Sequence, residues 1–490
     1  MRRFYILLLI ILIFPRCTER EIPDLLASHG EFIRHITKNP DSFYFIGKKR
    51  VTKPDKSKAI GVFDSGIGGL TVFDAIVNAD FFNQAHESKP DGLNDFNYEQ
   101  FLYLADQANM PYSNYVELGK KELLVEHILK DALFLLNNRY RLSAGSSSTA
   151  YDKPGIKVLV IACNTATAYG KEYVEELYGY LGTGLKVIGV IDAGCKGALE
   201  VIGEEEDATV AVFATPATVG SNAYSTTLSS LAQGRKGKTD IVQQGGKGLH
   251  ESVDNKPEFI NTAFDRPFKG YQGPSLWDNN YRIDKELFPY YNFDNSSAAI
   301  LYNGNTVEDS DTIQLNSVAN YTRFHIVSLM EKVRDKGDGI PLKAIILGCT
   351  HYPYVQDIID QVFAELKRTE RYSAFIADSV YIIDPALNTA KELYRYLHEN
   401  NLFNTAGTDH LKTSRFFISV PNIFEPSVQT EEDGKRFSYD YQYLGRDINE
   451  LKDYTVPVPL SQEVISGEQL ELIEQRLPLT YKLILQHCHL

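Results

Sequence analysis

The sequence predicts an α/β protein built from largely parallel sheets covered by helices on both faces. Three observations predict it. Apolar runs of four to seven residues alternate with helical patterns along much of the chain. The runs break into polar or glycine-containing turns, and amphipathic helical patterns follow those turns. That rhythm is the signature of βαβ units, whose strands are buried on both faces and therefore read as continuous apolar runs.

Taken in order, residues 59–63 form a strand that breaks into Asp-Ser-Gly-Ile-Gly-Gly before a helix over 70–79. Residues 158–162 lead into Cys-Asn-Thr and a helix over 166–177, and 185–191 form another strand. Residues 209–213 lead into Thr215-Pro216 and the segment 217–224, and 344–347 lead into Gly-Cys-Thr-His-Tyr-Pro and a helix over 355–366. In this architecture ligands bind beyond the carboxyl ends of the strands, so these strand-end segments are expected to converge on one cleft. Two stretches interrupt the rhythm, 137–154 and 232–316, and are read as insertions or lids. Residues 406–490, aromatic and proline-containing with a helical ending near 469–476, carry no chemistry in the sequence and are read as a C-terminal extension of unknown role.

The N-terminus has two arginines, an apolar run over 6–14, and then Pro15-Arg16-Cys17. This is the layout of an export signal, and the run is too short for an ordinary membrane span. Residues 1–17 are therefore expected to direct export, with Cys17 as a lipid-attachment site, and 18–58 to act as a tether. The alternative is a cytoplasmic protein.

Acidic residues outnumber basic ones by 64 to 50, a net charge of −14, which argues against general affinity for nucleic acid or anionic membranes. Five scattered cysteines are too few and too widely spaced for a disulfide scaffold or a zinc site with paired ligands. Two of them, Cys163 and Cys349, stand in matching strand-to-helix turns. A helix N-terminus favours a thiolate, so the pKa of Cys163 is expected to fall below its free value.

Singly, each thiol reads as a buried, inert cysteine. As a pair they meet the requirement of racemisation without a cofactor, in which one base removes the α-proton and an acid on the opposite face returns it. The carbanion formed needs donors to the carboxylate and exclusion of water. Asn164, Thr165, Ser65, Thr350 and the turn N–H groups suit that task. Asp64 fits either assistance to Cys163 or a helix cap, His351 either relay of the Cys349 proton or a backbone-satisfied histidine, and Asp106 a turn. Gly66, Gly68 and Gly69 match neither a dinucleotide fingerprint nor a P-loop, and read as close backbone approach to a small anion.

Residues 61–72 (GVFDSGIGGLTV), 162–166 (ACNTA) and 347–353 (LGCTHYP) together resemble the signature blocks of bacterial glutamate racemases. Weaker matches are Asp106 with Pro111-Tyr112, the segment 215–218 with Ser221 and Tyr224, and Asp384. The resemblance implies Cys163 and Cys349 as the proton donor/acceptor pair and Asp64 and His351 as assisting groups. It implies substrate contacts from Asp64, Ser65, Tyr112, Ser113, Asn164, Thr165, Thr350 and His351.

The resemblance also implies two similar α/β domains facing across a cleft, residues 59–190 with 349–405 and residues 191–348, and glutamate as substrate with no cofactor or metal. Oligomeric state is left open, with a homodimer as one candidate.

The sequence departs from the family at Ser113, where glycine is usual, and at Asn109, where arginine is usual. The family's later glutamate has no clear counterpart; spacing suggests Asp254, with Glu251 as rival. The family's cytosolic task of supplying D-glutamate for peptidoglycan conflicts with an export segment. Competing readings are a racemase of aspartate or another amino acid, a related thiol-dependent reaction, and an envelope protein that binds amino acids without turnover. The histidine after Cys349-Thr350 favours glutamate.

Overall fold

A computed structural model describes residues 21–47, 53–83, 85–405 and 411–487 of the chain. The signal-like segment and Cys17 lie outside the described residues. Among the described residues, no helix is long and apolar enough to cross a membrane.

Two parallel-stranded sheets organise the molecule. The first takes strands β1 (Ala59–Asp64), β2 (Phe101–Ala105), β3 (Ile156–Ile161) and β4 (Lys186–Gly189). The second takes β5 (Ala208–Ala214), β6 (Thr239–Gly245), β7 (Leu342–Gly348) and β8 (Ile376–Ile383). Two further strands, β9 (Arg415–Pro421) and β10 (Thr455–Pro459), return to the first sheet, giving the order β10-β9-β2-β1-β3-β4. The second sheet has the order β8-β7-β5-β6. All neighbours are parallel except β9 and β10. Pro457 and Pro459 are tolerated in β10 because it is an edge strand.

Alternation along each strand sends side chains to opposite faces, and each face has its own core. In β1, Ile60 and Val62 pack on one side of the first sheet while Ala59 and Phe63 pack on the other. In β5, Ala211 and Phe213 enter one core and Val210 and Val212 the other. Each domain is thus three layers, helix on sheet on helix.

Several sequence expectations change here. The proposed tether is packed: residues 21–47 include the helix Gly30–Lys38, with Phe32, Ile33 and Ile36 buried in the first domain's core. The spacing of those residues along one helical face supplies the apolar surface that a free tether would lack. The proposed 232–316 insertion contains a sheet strand, β6, in which buried Asp240, Val242 and Gln244 alternate with half-buried Thr239, Ile241 and Gln243, the pattern of a half-buried edge rather than a loop.

The domain boundary also moves. Residues 349–383, expected in the first domain, belong to the second, because β8 pairs with β7 and the helix Gln356–Lys367 packs in the second domain's core. The chain re-enters the first domain with the helix Pro385–Glu399, whose Ala390, Leu393 and Leu397 join that domain's core. Residues 411–487 are structural: they supply β9 and β10, and the helix α1 (Gly467–Arg476) buries Leu470 and Ile473 in the same core.

Truncation after residue 405 should therefore abolish soluble folding rather than trim an appendage. Ile418→Ala, in a buried strand, should cost about 2–5 kcal/mol. Thermal unfolding of both variants checks this, and a truncated chain melting like the full one would contradict the assignment of β9 and β10 to the core.

Candidate active site

In each sheet the chain leaves its first strand to one side and returns on the other, β1 between β2 and β3, and β5 between β6 and β7. The gap at the carboxyl ends of such strands is a topological switch point, where loops diverge and leave room for a ligand. Asp64 ends β1, and Cys163 follows β3 after Ala162. Cys349 follows β7 directly.

Cys163 is the N-cap of the helix α2 (Asn164–Leu181), its sulfur accepting the Ala166 N–H at 3.4 Å. It lies 3.6 Å from Ser65 Oγ and also bonds Asp64. The helix terminus does not win: burial and then the Asp64 carboxylate push the Cys163 thiol up to about 12. This reverses the sequence expectation of a lowered pKa, because two or three partial dipoles cannot offset desolvation beside a like charge.

Asp64 serves both of its candidate uses. Its Oδ2 accepts the N–H groups of Gly66 at 3.1 Å and Gly69 at 2.9 Å. Burial raises its pKa against those bonds and the one to Cys163. The glycine turn therefore wraps an anion that belongs to the chain itself. A side chain at Gly69 would put its Cβ 2.3 Å from the Asp64 Cβ, so the close approach requires glycine.

At the second thiol, Cys349 Sγ is 3.8 Å from His351 Nδ1, and His351 Nε2 is 3.2 Å from Asp254 Oδ2. Burial lowers the imidazole pKa, but the bonds to Asp254 and Cys349 outweigh it and lift His351 to about 10. Asp254, rather than Glu251, is the carboxylate that reaches His351; the nearest Glu251 oxygen lies 3.1 Å from His250 Nδ1 instead. Arg476, at the end of α1, places Nη1 3.5 Å from Asp254 Oδ1.

The two turns face one cleft, lined among others by Asn164, Cys349, Thr350, Asp384 and Arg476. Tyr224 of the second domain donates to Asn164 Oδ1 at 2.8 Å, tying the domains together beside the thiols. Thr350 Oγ1 is 3.4 Å from His351 Nδ1. Ser65 and Thr165 are half-buried in the turns next to Cys163. Asp384 caps the helix Pro385–Glu399 through the Ala386 N–H at 2.8 Å.

Tyr112 is placed differently. It is buried, and its hydroxyl lies 2.6 Å from Asp106 Oδ2 and 2.8 Å from Asp131 Oδ2. One hydroxyl hydrogen serves one acceptor, so the second contact needs a proton on a carboxyl. Burial, followed by Asp106, pushes Asp131 well above the carboxylate range and supplies it. The Tyr112 hydroxyl is thus spent inside the first domain, while Ser113 is half-buried in the following helical turn.

Sequence reasoning missed the C-terminal residues that hold this loop. Ser419 Oγ donates to Asp106 Oδ1 at 2.6 Å, and Gln442 Nε2 donates to the Met110 carbonyl at 3.1 Å. Arg446, fully buried, donates to Asn109 Oδ1 at 3.1 Å and Tyr115 Oη at 2.7 Å. A guanidinium from a distant segment thus occupies the neighbourhood of Asn109. Nothing in the local sequence signals either Arg446 or Arg476, whose partners lie 337 and 222 positions away. Among the described residues, no group of three or more His, Cys, Asp or Glu is placed to hold a metal ion.

No family model matches the sequence. A glutamate racemase of Sulfurihydrogenibium sp. (strain YO3AOP1) is 29% identical over 271 residues, 52% of this chain and 83% of that protein. One from Aquifex pyrophilus is 32% identical over 165 residues, 34% of this chain and 48% of that protein. The solved structure of glutamate racemase isoform RacE1 from Bacillus anthracis aligns with a TM-score of 0.43 and 22% identity, covering 74% of this chain and 89% of that one. Paired α/β domains with a thiol at each facing turn, together with these relatives, define an amino-acid racemase. Within that class the curated relatives that the chain matches are glutamate racemases.

The His351 shift has a sign that can be checked. A folded-state pKa of about 10, above the ordinary 6.5, stabilises the fold fully below pH 6.5, and that contribution fades as pH rises to about 10. His351→Asn should remove this slope from the unfolding free energy across pH 6.5–10, measured by denaturant titration. An unchanged slope would mean the imidazole is neutral in the native protein.

Proposed function

We propose that the protein interconverts L-glutamate and D-glutamate without a cofactor, using Cys163 and Cys349 as opposed proton donor and acceptor. The observation that supports this most directly is the pair of buried thiols at equivalent switch points of two sheets, with Cys349 lining a cleft that Ala162 and Asn164, on either side of Cys163, also line. A thiolate on one face takes the α-proton, and the electron pair left on carbon spreads into the α-carboxylate. The thiol on the other face then gives up its proton to that carbon and becomes the thiolate. The reverse reaction exchanges the two roles.

The two surroundings suit opposite starting states. With its pKa pushed up to about 12, Cys163 rests as the proton-bearing thiol. Cys349 rests beside an imidazolium, His351, which offers a charge partner to a sulfur acting as base. Asp64 receives or returns the Cys163 proton, and His351 assists Cys349 with Asp254 fixing its ring. Ser65, Asn164, Thr165 and Thr350 donate to the substrate, and Tyr224 holds the Asn164 carbonyl so that its NH2 is left for the ligand. Of the Tyr112-Ser113 pair, the backbone and Ser113 are the groups left for the substrate.

The test is α-proton exchange of L-glutamate in deuterium oxide, with chiral analysis of the product. The wild-type chain should incorporate deuterium and form D-glutamate, and Cys163→Ala and Cys349→Ala should each lose activity by about 10²–10⁴-fold or more. Full activity in either variant removes that residue from the mechanism. Exchange with aspartate alone would move the assignment to that substrate.

We further propose that the N-terminal segment places the enzyme at the cell envelope, tethered through Cys17, where D-glutamate formed by it would serve peptidoglycan. Fractionation should recover the protein with membranes and release it on Cys17→Ala. An intact N-terminus on a soluble cytosolic protein would point instead to cytoplasmic supply of D-glutamate.

A further inference from the structure

We infer that Arg476, delivered by the C-terminal helix α1, is a positioning residue for the Cys349 side of the cleft; this rests on the racemase reading above. The helix is rooted in the first domain. Leu470, Ile473 and Leu477 are buried in its core, and Thr480, two residues into the next helix, donates to Asp74 Oδ1 at 2.7 Å. Its last residue crosses to the second domain. The Arg476 guanidinium contacts Asp254 Oδ1 and the Val253 carbonyl, each at 3.5 Å, and lies 5.1 Å from the Tyr354 ring centroid.

The contacts form a continuous line: Arg476 to one oxygen of Asp254, the other oxygen to His351 Nε2 at 3.2 Å, and His351 Nδ1 to Cys349 Sγ at 3.8 Å. With both oxygens engaged, the carboxylate cannot turn about its terminal torsion, so His351 is held with Nδ1 toward the thiol. Arg476 also balances the charge of Asp254, which leaves more of the imidazolium's field for Cys349. Other charged or titratable groups facing this line include His250, 5.7 Å from the His351 ring, with Glu251 and Lys256, Tyr224 and Tyr352 toward Cys349, and Asp74 toward Tyr354. Among the described residues no corresponding cation figures in the surroundings of Cys163, where Asp64, Ser65 and the Ala166 N–H act on the thiol.

The consequence is a two-domain dependence. The thiol of the second domain is set by a residue anchored in the first, so Cys349 is tuned when the domains are together.

The experiment follows alkylation of each thiol by iodoacetamide at pH 7, resolved by peptide mass spectrometry, in the full chain. Arg476→Met should slow Cys349 several-fold while leaving Cys163 unchanged, and Arg476→Lys should recover much of the rate. Asp254→Asn should slow Cys349 by itself, and adding Arg476→Met to it should have little further effect. Thr480→Ala, which loosens the helix pair without touching Asp254, should lower the melting temperature and leave the Cys349 rate unchanged. An unchanged or faster Cys349 rate in Arg476→Met, or equal changes at both thiols, overturns the proposal. The readout needs no turnover, so failure of glutamate exchange in the wild-type chain would overturn the racemase reading separately.

Discussion

Parallel strands impose the constraint on which the rest of this molecule depends. Each connection must leave a strand at one end and re-enter the sheet at the other, so every segment that follows a strand emerges on the same edge. Where the chain switches direction, between β1 and β3 and between β5 and β7, neighbouring segments part and leave a gap. Both thiol turns sit at such gaps, and residues of both turns line one cleft. The chemistry is therefore built from two copies of one local solution.

The copies differ in charge. At Cys163 the nearest ionisable group is a buried carboxyl, Asp64, clasped by the N–H groups of its own glycine turn. At Cys349 it is an imidazole made cationic by Asp254. Under the proposed mechanism one site rests as acid and the other beside a cation, a difference that the similar backbone of the two turns does not produce. Desolvation decides it at Cys163, where burial outweighs the helix terminus. A hydrogen-bonded ion pair decides it at His351, where burial is outweighed instead.

The C-terminal region connects these ends. It completes the first sheet with β9 and β10, braces the Asp106–Ser113 segment through Ser419, Gln442 and Arg446, and reaches Asp254 with Arg476. Arg446 is a buried charge stacked among Phe437, Tyr441 and Tyr454, and its donors are taken by Asn109, Tyr115 and the Gln442 carbonyl. A buried guanidinium so fully engaged is costly to unpair, which fixes the loop against the rest of the domain.

The sequence by itself determined strands β1, β3, β4, β5 and β7 and the turns that follow them, because their signals are local: an apolar run, a break, and a helical pattern occupy a dozen or so contiguous residues. It thereby located Cys163, Cys349, Asp64 and His351 at strand ends. Tertiary structure decided what lies across space from them. The choice of Asp254 over Glu251, the burial of the Tyr112 hydroxyl between Asp106 and Asp131, and the arrival of Arg446 and Arg476 depend on contacts between distant segments. Domain membership was decided there too, since β8, β9 and β10 carry no mark of which sheet they join. Hydrogen-bond pairing between strands is set by the packed whole, and a short run of residues records only that it will pair, not with which partner.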